Sequence, residues 1–131
     1  MILAVIFCFC VAGNAQVRTI TDDQWTSLEI KRPVVIDFYA DWCGPCRALA
    51  PTFDRLAREY SGRIDFYRIN VDNDSDYFYE YGGEGIPFLV FVYWADQNGG
   101  GIELFTETGY MEESELRSKL NTLLRKWNEN K

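Results

Sequence analysis

Two cysteines stand three residues apart in the segment Trp42-Cys43-Gly44-Pro45-Cys46, and the only other cysteines, Cys8 and Cys10, fall within the first fifteen residues. A thiolate attacks a disulfide sulfur to form a mixed disulfide, and a second nearby thiol can attack that bond and release the partner. A Cys-X-X-Cys pair is built for this sequence of events. A helix N-terminus under such a pair lowers the attacking thiol from about 8.5 towards ~7. Cys43 falls where a strand pattern ends and a helical pattern begins, so unpaired backbone N–H groups are expected to face its sulfur. Cys46 is one helical turn on, on the same side. Gly44 permits close approach of a partner backbone. Pro45 fits the first helical turn, where its missing N–H is not needed.

A third residue draws attention. Asp37 lies midway along Val34–Ala40, a run otherwise apolar. A carboxylate in a strand covered on both faces is costly unless it has a partner or a task. One reading is a desolvated acid of raised pKa that relays a proton for Cys46. The other is a carboxylate paired with a cation such as Arg68, or a bulged, exposed position.

Composition removes competing chemistries. The chain contains no histidine, which excludes Ser-His and Cys-His catalysis and histidine-ligated metals. Two cysteines alone make a poor zinc site, so no metal is expected. A static Cys43–Cys46 bridge would close too short a loop to constrain the unfolded chain much. The net charge of −7 and the lack of any basic block argue against nucleic acid as a partner. At 131 residues the chain holds one domain with a real core.

The elements that position the thiols can be read along the chain. Val17–Ile20 reads as a short strand. Thr21 and Gln24 form a capping box, with Ile20 and Trp25 as a hydrophobic staple, and predict a helix from Asp22 to about Ile30. Val34–Ala40 reads as a central strand. A helix follows from about Cys43 to Tyr60, with Leu49, Phe53, Leu56, Ala57 and Tyr60 on one face and a kink at Pro51. Ile64–Val71 reads as a second core strand, Asp74–Tyr81 as a short helix, and Phe88–Tyr93 and Ile102–Glu107 as a hairpin. A last helix is expected over Glu112–Trp127. The order predicts one α/β domain.

The run Val34-Val35-Ile36-Asp37-Phe38-Tyr39-Ala40-Asp41-Trp42-Cys43-Gly44-Pro45-Cys46-Arg47, followed by Ala50-Pro51, resembles the thioredoxin family signature. The resemblance extends in element order over residues 17–127. It implies a thioredoxin-like fold, a central mixed sheet flanked by helices. It also implies a dithiol that reduces protein disulfides without any cofactor beyond the Cys43–Cys46 pair. By the same resemblance Asp37 matches the buried proton-relay acid, and Trp42 the tryptophan that shields the thiols. Ile86-Pro87 matches a cis-proline loop facing the dithiol, where the Ile86 backbone pairs with an extended substrate segment. Gly109 matches a glycine on that surface. The chain departs from the family at five places. Arg68 stands where Lys is common, and any contact with Asp37 should hold the acid ionised more firmly. Tyr39 replaces a common Trp, Phe88 a small polar residue, and Gly83 an apolar one. The hairpin around Asp96–Gly101 is longer.

Residues 1–15 carry no charge, hold an apolar run far below the ~20 residues that span a bilayer, and end in Gly13-Asn14-Ala15. They read as a signal peptide cut before Gln16, leaving a domain over 16–131. Phe precedes both Cys8 and Cys10, which disfavours a lipid anchor. Export, to the periplasm, would require an electron donor. The resemblance points to a membrane thiol-disulfide electron-transfer protein, or to a flavin-dependent reductase if the chain stays in the cytoplasm. A monomer is expected. Two rival functions stay open: an exported disulfide oxidase or isomerase, and a peptide-binding or chaperone module without turnover.

Overall fold

The computed structural model describes residues 16–131, so the expected signal peptide lies outside the described residues. Five strands form one mixed sheet in the order β1-β3-β2-β4-β5. They are β1 (Arg18–Thr19), β2 (Val34–Tyr39), β3 (Asp65–Asn70), β4 (Phe88–Ala95) and β5 (Ile102–Thr108). The first three run parallel; β4 lies antiparallel to β2, and β5 antiparallel to β4. Four helices cover the sheet: α1 (Asp22–Thr26), α2 (Gly44–Glu59), α3 (Asp76–Glu80) and α4 (Glu113–Glu129). Among the described residues no helix is long and apolar enough to cross a membrane.

Strand alternation sorts the core into two layers. Val35 of β2 joins Leu49, Phe53 and Leu56 of α2 and Leu116, Leu120 and Leu123 of α4 on one face. Val34, Ile36 and Phe38 join Trp25 of α1 and Phe78 of α3 on the other. The central strand is therefore covered on both sides, as its apolar run predicts. Asp37 follows the Val35 alternation, so it faces α2.

The capping box forms as predicted. Gln24 N–H donates to Thr21 Oγ1 at 3.1 Å, and Thr21 N–H donates to Gln24 Oε1 at 3.0 Å. The staple residues Ile20 and Trp25 are both buried in one cluster. The helix, however, stops at Thr26 rather than near Ile30. The hydroxyls of Thr26 and Ser27 bond back to the carbonyls of Asp22 and Asp23, and Leu28 and Ile30 leave the helix to pack against the sheet. The β4–β5 hairpin is longer than its pattern suggests. Its pairing shifts register between Val92 and Trp94, and its loop closes through Asp96, whose Oδ1 accepts Asn98 N–H at 2.9 Å.

Candidate functional site

The dithiol sits at the C-terminal end of β2. Cys43 is the N-cap of α2, with extended backbone, and Gly44, Pro45 and Cys46 form its first turn. The Cys46 N–H donates to Cys43 Sγ at 3.2 Å. This is the helix-terminus contact expected of an activated sulfur. Cys43 and Cys46 are joined as a disulfide with their Cα atoms 5.2 Å apart. Both are buried. A Cβ added at Gly44 would meet open space, so the backbone there is accessible from outside.

The Ile86-Pro87 loop reaches this centre from the start of β4. The peptide bond between them is cis, and the Ile86 carbonyl oxygen lies 3.8 Å from Cys43 Sγ. Gly109 closes the loop from behind: its N–H donates to the Pro87 carbonyl at 2.8 Å. Its φ of 96° is a left-handed conformation that favours glycine. Trp42 is 68% exposed. Its ring is held in place because Nε1 donates to both carboxylate oxygens of Asp72, at 3.2 and 3.0 Å. The predicted residues Trp42, Cys43, Gly44, Pro45, Cys46, Ile86, Pro87 and Gly109 thus gather at one end of the sheet. A cleft of about 840 Å³ between α1, α3 and the hairpin contains none of them.

Asp37 is 1% exposed. Register pairs it with Arg68 on β3, and Arg68 Nε donates to Asp37 Oδ2 at 3.3 Å. The remaining guanidinium nitrogens bind elsewhere: Nη1 to Asp54 Oδ1 at 3.1 Å and Nη2 to the Ala50 carbonyl at 3.2 Å. The predicted ion pair exists, but it is single-pronged and shared. Asp37 Oδ1 has no hydrogen-bond partner among the described residues. Burial outweighs the attraction of Arg68, and the Asp37 carboxyl is pushed up to about 6, with Asp54 adding a small push in the same direction. Arg68 moderates the shift without reversing it.

Two residues of this arrangement, Asp72 and Asp54, carry no mark in the sequence. Asp72 holds Trp42 from a turn after β3. Asp54 and Ala50 share a face of α2, four residues apart, and Arg68 donates to both. Gly83 is buried, and a Cβ on it would run into the Phe78 ring. The ring of Phe78 thus fills the space that an apolar side chain at 83 would occupy.

The thioredoxin family model matches residues 16–122. Thioredoxin-T of Drosophila melanogaster is 46% identical over 83 residues, which are 63% of this chain and 50% of that protein. Thioredoxin M2, chloroplastic, of Arabidopsis thaliana is 34% identical over 122 residues, 91% of this chain and 62% of that protein. The chain therefore spans about half to three fifths of the length of these two relatives. Among solved structures, a thioredoxin of Malassezia sympodialis superposes with a TM-score of 0.69 at 29% identity, covering 84% of this chain and 92% of that one. Fold and sequence agree, and the chain belongs to the thioredoxin family.

Proposed function

We propose that this protein is an exported thiol–disulfide oxidoreductase that reduces protein disulfides through Cys43 and Cys46. The observation that carries the reading is the Cys43 sulfur at the N-cap of α2, accepting the Cys46 N–H at 3.2 Å. That contact favours a thiolate at Cys43 once the pair is reduced. The Cys43 thiolate attacks a substrate disulfide, forming a mixed disulfide and expelling one substrate thiolate. Cys46 then loses its proton and attacks Cys43 Sγ, which frees the second substrate thiol and forms the Cys43–Cys46 bond. Two electrons have passed to the substrate; one of the protons its thiols need comes from Cys46 by way of Asp37, and the other from solvent, which took up the Cys43 proton when that thiol ionised. Asp37, on the sheet face under α2, takes the Cys46 proton. No cofactor enters the cycle.

Trp42, Gly44, Pro45, Ile86, Pro87 and Gly109 form the surface that receives the substrate, and the exposed backbone at Gly44 supports an extended partner chain. The uncharged leader of residues 1–15 supports export; a membrane thiol-disulfide electron-transfer protein would then regenerate the dithiol. Insulin reduction by the wild type and by Cys43→Ser tests the chemistry: the substitution should abolish it, and equal rates would remove Cys43 from the mechanism. Equilibration with glutathione tests the direction. A potential of about −270 mV is expected for a reductant, and one above about −180 mV would make the protein an oxidant or isomerase.

A further inference from the structure

We propose that Asp54 is a positioning residue for the proton relay: it holds one arm of the Arg68 guanidinium, limits Arg68 to a single bond with Asp37, and so keeps the Asp37 carboxylate basic enough to take the Cys46 proton. The inference rests on the reductase reading above and names a residue that tunes its second step.

Arg68 stands beside Asp37 in the register of β2 and β3. Its guanidinium lies over Phe53 of α2, 5.1 Å from the ring centroid, and its side chain is only 15% exposed. A guanidinium that faces a carboxylate squarely gives it two parallel N–H bonds. Arg68 gives Asp37 one. Nε reaches Oδ2 at 3.3 Å, against ~2.8 Å for a close charge-assisted bond. The other two nitrogens are turned towards α2, Nη1 to Asp54 Oδ1 at 3.1 Å and Nη2 to the Ala50 carbonyl at 3.2 Å. Asp37 Oδ1 is left buried and without a partner among the described residues. A buried, unpartnered carboxylate oxygen is costly and should draw any free N–H. What opposes that draw is Asp54, the one carboxylate besides Asp37 that pairs with Arg68 among the described residues.

The charged groups that act on Asp37 are Arg68 and Asp54. The other elements packed in this layer bring uncharged side chains: Leu89 from β4, Leu116 and Leu120 from α4, and Val17 from the residue before β1. Tyr60, at the end of α2, donates its hydroxyl to Asn121 Oδ1 at 2.7 Å. Once the disulfide is reduced, the Cys46 thiol of α2 joins the set. Replacing Asp54 by Ala therefore acts twice in one direction. It removes a negative charge near Asp37, and it frees Nη1. The Phe53 ring and the Ala50 carbonyl still hold Arg68 in the layer, so the freed guanidinium turns its second bond to Asp37 Oδ1. Both effects favour the ionised carboxylate and make it a weaker base.

The test follows the side-chain carboxyl carbon of Asp37 by NMR across a pH titration of the disulfide form, and the release of the mixed disulfide by stopped flow. The Asp37 midpoint should fall by about one pH unit in Asp54→Ala and return towards the wild-type value in Asp54→Glu. The weaker base should slow release about threefold near pH 7. Near pH ~5 release should be no slower than in wild type, because more of the variant's Asp37 is ionised there. In the Arg68→Met background Asp54→Ala should lose most of its effect on the midpoint, since the residue acts through Arg68. A midpoint that stays or rises, a shift undiminished without Arg68, or release slowed equally at both pH values would each overturn the inference. If any of these occurs while the wild type reduces insulin, the reductase reading stands and the inference alone fails. If the wild type reduces no insulin, the reductase reading fails, and the role assigned to Asp54 fails with it.

Discussion

Burial and Arg68 pull the Asp37 carboxyl in opposite directions, and burial prevails, leaving it at about 6. At neutral pH the acid is mostly ionised and can accept a proton, yet it holds that proton far better than an exposed aspartate would. Asp37→Asn removes this acceptor. Release of the mixed disulfide should then slow by on the order of 10²-fold near pH 7, while its formation changes little, because Cys46 gives up its proton only in the second step. Stopped-flow measurement of the two steps checks this; unchanged release would remove Asp37 from the relay. Arg68 lowers the Asp37 value. Arg68→Met should therefore move the midpoint of the release step upwards in pH, and a midpoint that falls or stays would contradict the shared ion pair.

At the scale of the element, local signals were legible and tertiary ones were not. The capping box at Thr21 and Gln24 and the N-cap role of Cys43 depend on residues within one turn, so spacing alone reveals them. The early stop of α1 depends on where Leu28 and Ile30 find apolar neighbours, which no local pattern states. The carboxyl of Asp37 was recognisable as an anomaly in an apolar strand, and Arg68 as a candidate partner. Asp54 and the Ala50 carbonyl complete the arrangement only once α2 lies on the sheet. Gly83 shows the same division: its buried position and its neighbour Phe78 come together through the α3 loop. Gly83→Ala should destabilise the fold by about 1–3 kcal/mol through overpacking against that ring. Much of that cost should vanish in the Phe78→Leu background, since contacting sites are not additive. Urea unfolding of the two single variants and the double variant measures the coupling, and simple additivity would exclude the clash.

For the whole molecule, Asp37 makes stability depend on pH. Its folded value of about 6 exceeds the reference 3.8, so between these values the folded state holds more protons than the unfolded one. The resulting stabilisation is complete below pH ~3.8 and is lost as pH rises through ~6, a contribution of about 3 kcal/mol from this group alone. Asp37→Asn should accordingly gain stability relative to wild type at pH 7 and lose that advantage at pH 4. Chemical denaturation at the two pH values checks the sign. The two faces of the sheet share this burden unequally, since the acid interrupts only the layer under α2.

The sheet also has two rims, and they are guarded by different means. β1 is only two residues long, too short to template another strand. β5 runs seven residues, and the described structure leaves its outer backbone edge unpaired. It carries Glu103, and Glu107 in an ion pair with Lys119 at 2.6 Å; charges on an edge strand discourage pairing with a second chain. That defence is colloidal as much as local, because it draws on the net charge of −7. Near the isoelectric point of about 4.5 the mutual repulsion of chains disappears. Light scattering should then report self-association that is absent at pH 7, and replacing Glu103 with Val should bring its onset closer to neutrality.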